Sequence, residues 1–95
     1  PPSPICAEAY LICRTNKRAW EDTHPDRPAN DNWPTGIPPR TCANSRMRCE
    51  AIDRRHQTDP THSGIIRFPD GTIVTWGPGP NVRITPGRPG HWPWF

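Results

Sequence analysis

Two cysteine pairs of identical spacing constrain this chain more than any other feature. Cys6 and Cys13 form one C-x6-C pair, and Cys42 and Cys49 form the other. Zinc sites use closer pairs of the C-x2–4-C type, so these are too wide for a zinc knuckle. An even number of cysteines in a short chain reads instead as two disulfides made in an oxidising compartment. Zinc or free thiols are the competing reading. The need for covalent staples is written in the composition. Only 32 % of the 95 residues are hydrophobic, and 15 prolines with 7 glycines approach the make-up of disordered chains. Five tryptophans argue against disorder, and so few aliphatic residues cannot fill a large core.

Both cysteine pairs sit in helical patterns. Cys6, Ala9, Tyr10, Cys13 and Trp20 fall at i, i+3, i+4, i+7 and i+14, which predicts a helix over 5–20. Ser3 is placed to cap it, with Pro4 at the first helical position. Arg14, Lys17 and Arg18 lie in its later turns, where cations suit the helix dipole. A second helix is predicted over 41–56, with Thr41 as its cap and Cys42, Cys49 and His56 on one stripe. Arg46, Arg48, Arg54 and Arg55 flank that stripe.

Helix geometry narrows the disulfide connectivity. Seven residues advance about 10.5 Å along a helix, whereas a cystine needs its Cα atoms within about 7 Å. Cys6 therefore cannot bond Cys13, nor Cys42 bond Cys49. Antiparallel helices give Cys6–Cys49 with Cys13–Cys42; parallel helices give Cys6–Cys42 with Cys13–Cys49. The antiparallel hairpin is favoured, because it is the commoner outcome and needs less connecting chain. It would set Arg14 and Arg18 beside the arginine-rich second helix as a cationic surface. The acidic residues Glu21, Asp22, Asp26 and Asp31 are placed to cover part of it.

Residues 21–40 read as a loop, since Pro25, Pro28, Pro34, Pro38 and Pro39 exclude regular structure. A loop of that length is usually functional or disordered, and Trp20, Trp33 and Ile37 suggest that it packs back on the domain. From Ser63 the period changes to two. Gly64-Ile65-Ile66-Arg67-Phe68 and Thr72-Ile73-Val74-Thr75-Trp76 read as strands joined at Pro69-Asp70-Gly71, where proline presets φ and glycine takes the left-handed position. Asn81 to Thr85 is a candidate third strand beyond Gly77-Pro78-Gly79-Pro80. Residues 63–85 are thus a β segment and 86–95 a Pro/Gly/Trp tail. The predicted fold class is α+β in one domain, 1–95: a disulfide-stapled antiparallel helical hairpin, then a β-hairpin or three-stranded antiparallel sheet.

The net charge of +3, carried by arginine far more than lysine, permits an anionic partner without demanding one. No apolar run approaches the length of a membrane span. Pro1-Pro2-Ser3-Pro4 reads as a linker after a preceding module, and the chain as a mature or excised fragment.

The polar cluster most like an active site is Arg54, Arg55, His56, Asp59, His62 and Arg67. Metal-free RNA cleavage needs a base for the 2′-hydroxyl, an acid for the leaving oxygen and a cation for the phosphate. His56 and His62 are the candidate base and acid, with Arg55 or Arg67 as the cation. The bland reading of His56 is packing, since it shares the cysteine stripe. Metal ligation by His56, Asp59 and His62 has no recognised spacing behind it, and no nucleotide-binding or serine-nucleophile motif is present. His24 reads as solvated. In the tail, Trp92 and Trp94 could stack nucleobases, dock on a partner or enter a membrane interface; equally, they could supply missing core volume.

The segments Cys6-Ala-Glu-Ala-Tyr-Leu-Ile-Cys13 and Thr41-Cys42-Ala-Asn-Ser-Arg-Met-Arg-Cys49 resemble the small variable modules at the C-terminal tips of bacterial polymorphic secreted toxins. The resemblance implies a delivered effector, often a nuclease, paired with a cognate immunity protein. The expected function is therefore a secreted antibacterial toxin acting as a metal-independent ribonuclease, with RNA as substrate and no cofactor. Two alternatives stand beside it. One is a non-catalytic binding or inhibitor module that reads a partner through Trp33 and Arg40 of the proline loop. The other is a membrane-active toxin working through the tryptophan-rich tail.

Overall fold

A computed structural model describes residues 3–25 and 41–89. Most of the proline loop and the end of the tail, with Trp33, Arg40, Trp92 and Trp94, lie outside the described residues. Helix α1 spans Pro4–Thr23. Proline opens it, since its fixed φ suits a first turn that needs no amide donor. Ser3 occupies the cap position, but its hydroxyl makes no capping bond and its buried Oγ has no partner among the described residues. The helix also runs past its predicted end. Glu21, Asp22 and Thr23 are helical rather than loop, which leaves Arg14, Lys17 and Arg18 short of the last turn. The extension has a local cause. Thr23 Oγ1 donates to Trp20 O at 3.0 Å, and His24 Nδ1 donates to the same carbonyl at 2.9 Å. The His24 ring stacks on Trp20 with centroids 4.3 Å apart. Helix-end carbonyls that lack intrahelical donors are thereby satisfied.

Helix α2 spans Cys42–Thr58, and Thr41 caps it as predicted, its Oγ1 accepting from Asn44 N at 3.0 Å. The cystines are Cys6–Cys49 and Cys13–Cys42, with Cα atoms 5.7 and 5.9 Å apart. The helices are therefore antiparallel. Cys6, Ala9 and Cys13 of α1 meet Cys42 and Cys49 of α2 in a buried seam. The other buried residues of α2 are Ser45, Asp53 and His56, so sulfur supplies the apolar surface that leucine would usually provide. All four cysteines are bonded, which fits an oxidising, extracellular or exported setting. Among the described residues no helix is long and apolar enough to cross a membrane.

Strands β1 (Gly64–Arg67), β2 (Ile73–Trp76) and β3 (Val82–Thr85) form an antiparallel sheet in that order. Its register pairs Ile66 with Val74 and Val74 with Ile84. Alternation then gives each face its residues. The inner face, with Ile66, Val74, Trp76, Val82 and Ile84, packs with Trp20, Phe68 and the cystines into one core. Ile65, Arg67, Ile73, Thr75, Arg83 and Thr85 belong to the outer face. The β1–β2 turn behaves as its residues require: Gly71 N donates to Phe68 O at 3.0 Å, and Gly71 takes φ 90°.

That turn is pinned from both ends of the chain. Asp70 is completely buried, and its Oδ2 accepts from Thr72 Oγ1 and from Asn16 Nδ2, each at 2.6 Å. Its backbone oxygen accepts from Arg88 N at 3.1 Å. Gly87 is needed here for space, since a Cβ would collide with Asp70 O.

Candidate functional site

The predicted cluster begins where α2 ends. Asp59 is the C-cap residue, its N donating to Arg55 O at 2.9 Å. Its Oδ1 accepts from Thr61 N at 3.1 Å and from Thr61 Oγ1 at 2.5 Å, an Asx turn that reverses the chain. These bonds favour the ionised carboxylate. The Thr61 hydroxyl first, and its amide next, hold the Asp59 pKa below the ordinary aspartate value. The same turn directs His62 back toward α2: its N donates to Asp59 O at 3.0 Å, and its Nε2 lies 3.8 Å from Asp59 Oδ2. That contact is an ion pair whenever the exposed imidazole is protonated.

His56 arrives by a different route. It continues the cysteine stripe of α2, is 6 % exposed, and donates from Nε2 to Gly77 O at 3.1 Å. A carbonyl only accepts, so Nε2 carries the hydrogen and the neutral ring keeps its lone pair on Nδ1. The β2–β3 turn that supplies this carbonyl is itself held by Gly79 N donating to Pro60 O at 2.8 Å.

Between α2 and the start of β1 lies a cleft of about 230 Å³, lined by Ala51, Ile52, Arg55, His56, His62, Ser63 and Gly64. Glycine at 64 lets the strand approach the helix, since a Cβ there would meet Ile52 Cγ2 at 2.8 Å. One guanidinium, two imidazoles and a hydroxyl thus share a small opening with an apolar wall. Such a set can hold an anion and move protons beside it.

Three of the four predicted catalytic residues, Arg55, His56 and His62, are brought together there. Arg67 is not. In β1, Gly64 and Ile66 face the helices, so alternation turns Arg67 to the outer face. Only its backbone joins the inner structure, where Arg67 O accepts from Ser45 Oγ at 3.3 Å. Arg54 is exposed on α2 and does not line the cleft. The predicted binding residues Trp33, Arg40, Trp92 and Trp94 fall outside the described residues. His24, expected to be solvated, is the stacked cap of α1 described above. Arg14, Lys17 and Arg18 line a depression with Thr15 and Glu21, all on α1, and no arginine of α2 lines it.

Sequence reasoning missed the cleft wall, Ala51, Ile52 and Ser63, because none of these carries a motif. It also missed Asp53, a buried carboxylate that accepts from Trp76 Nε1 at 3.0 Å and from Gln57 Nε2 at 2.8 Å. The i, i+4 spacing of Asp53 and Gln57 was the available signal. Among the described residues, no three His, Cys, Asp or Glu side chains converge as metal ligands. Comparison with known proteins finds no matching family model, no matching curated protein and no matching solved structure.

Proposed function

We propose that this domain is an exported effector that cleaves RNA without a metal, in the cleft between α2 and β1. The observation that supports this most is the meeting of His56 and His62 with Arg55, although the two histidines come from separate elements. In this reading Nδ1 of His56 takes the proton of a ribose 2′-hydroxyl. The freed O2′ attacks phosphorus, the P–O5′ bond breaks, and protonated His62 gives its proton to the departing O5′. A 2′,3′-cyclic phosphate and a 5′-hydroxyl result. Arg55 offsets the charge that builds on the phosphoryl oxygens, and Asp59 Oδ2 faces His62 Nε2 at 3.8 Å. The resemblance to secreted toxin tips extends the reading to an antibacterial role, with an immunity protein that blocks the cleft.

The test is RNA turnover by the purified, oxidised chain in excess chelator. His62→Ala alters an exposed side chain and should leave the fold intact while lowering cleavage by roughly 10²–10⁴-fold, the usual worth of a general acid. Undiminished cleavage, or undiminished toxicity to bacteria, would remove the ribonuclease assignment. A second reading, a non-catalytic binding module, draws on the burial of His56 and its bond to Gly77 O, which suit a packing residue. It requires that no RNA is turned over and that changes at Trp33 or Arg40 abolish capture of a partner.

A further inference from the structure

We infer that the outer face of the sheet is a landing surface for single-stranded RNA, on which Arg67 and Arg83 hold phosphates of the strand whose scissile bond lies in the cleft. The inference rests on the reading of RNA as substrate. Register places Arg67, Ile73 and Thr85 in one row across the sheet, and Ile65, Thr75 and Arg83 in the next. Both arginines and Thr85 are exposed, and Ile65 is 53 % exposed. These rows hold no acidic residue, and among the described residues neither guanidinium has a carboxylate partner. Among the described residues the charge of this face is therefore one-signed, which favours a polyanion.

The spacing suits a strand rather than a single anion. Two strand separations and a two-residue offset put the Cα atoms of Arg67 and Arg83 about 12 Å apart, so the two side chains reach different phosphates. Between them, the half-buried Ile73 and Thr75 offer side chains against which unpaired bases can pack. Arginine adds planar stacking that lysine cannot. Continuity with the cleft comes through β1, an edge strand. Gly64 at its start lines the cleft, while Ile65, the next residue, already faces outward. A strand leaving the cleft need only pass over that edge.

The experiment measures binding of a 2′-O-methyl RNA oligonucleotide, which cannot be cleaved through O2′, to the full oxidised chain across a salt series. Arg67→Gln with Arg83→Gln should weaken binding and lower the slope of log K against log salt by about 1.4, roughly 0.7 for each lost phosphate contact on a single strand. Thr85→Glu, which adds a negative charge to the same face, should also weaken binding. The charge-matched control, Arg18→Gln with Arg54→Gln on the helices, should change little. An unchanged slope in the sheet variant, an equal loss in the control, or no binding by the unaltered chain would each overturn the inference. The two proposals fail separately. Tight binding through this face without cleavage of ordinary RNA sinks the ribonuclease alone, and cleavage with undiminished binding by the sheet variant sinks the landing surface alone.

Discussion

Asp70 is a carboxylate with no access to water, and a small fold tolerates it because its oxygens are fully engaged. Thr72 donates twice, from N to Oδ1 at 3.1 Å and from Oγ1 to Oδ2 at 2.6 Å. The long-range donor is Asn16 of α1, which ties the first helix to the first hairpin. Asn16→Ala should destabilise the domain by about 1.5–3 kcal/mol, the range for hydrogen bonds to charged groups. Urea unfolding would measure it, and a change below the fitting error would mean that α1 is held by its cystines alone. Asp59 is the opposite case, exposed and held chiefly by the Thr61 bonds of its own turn. Its folded pKa lies below the unfolded value, so its contribution to stability is present above the unfolded pKa. That contribution is lost as pH falls through the folded value. Asp59→Asn should therefore lower the melting temperature somewhat at neutral pH, leave it nearly unchanged in acid, and so flatten the acid limb of the profile. An unaltered acid limb would show that the Thr61 bonds exist equally in the unfolded chain.

The two helices differ in what holds them. Helix α1 buries Trp20 and Ala9 beside its cysteines, whereas α2 buries sulfur and polar groups, with Ile52 only half covered. Its polar contacts, Asp53 to Trp76 and His56 to Gly77, give direction more than adhesion. Replacing Cys13 and Cys42 together by serine should cost about 3.5 kcal/mol on the loop-entropy model for their 29-residue separation. The remaining Cys6–Cys49 link encloses that loop, so the two bonds are not additive. Denaturation of the double variant measures the cost, and a loss below about 1 kcal/mol would mean that native contacts, not the cross-link, order the helix N-terminus. The sheet needs less help. Ser45 of α2 covers the Arg67 carbonyl on the edge strand, and Gly71 and Gly79 carry the left-handed turn positions at φ 90° and 81°.

For the molecule as a whole, the cystines tie α2, one wall of the cleft, to α1. Arg55 and His56 stand on α2, while Ser63 and Gly64 belong to the chain entering the sheet. Reduction of both bonds should detach α2 and dismantle the cleft with it. The sulfurs are protected, however: Cys6, Cys13 and Cys49 are 0 % exposed and Cys42 is 4 % exposed. A thiol must wait for the hairpin to open before it can attack. In dithiothreitol the helical circular-dichroism signal and the RNA-cleaving activity proposed for the cleft should therefore decay together, at a rate insensitive to thiol concentration once opening is limiting. Full helical signal in the reduced chain would mean that a conventional core exists after all.

Local chemistry was decisive wherever a single element could settle the outcome. The C-x6-C spacing is longer along a helix than a cystine can reach, which eliminated one disulfide pattern, and Pro69-Asp70-Gly71 dictated its own turn. Thr41 capped α2 for the same reason: the bond it makes lies within four residues. Ser3 had the same local chemistry and made no such bond, and α1 outran its predicted end through the contacts of Trp20 with Thr23 and His24. The length of connecting chain already favoured the antiparallel arrangement that the cystines show, whereas three-dimensional packing alone buried Asp70 against Asn16 and separated Arg67 from the histidines. The last follows from strand geometry, in which a shift of one residue exchanges faces. Proximity along the chain carries a side chain to the neighbourhood of a site, but the register of a strand against its helix determines whether it enters.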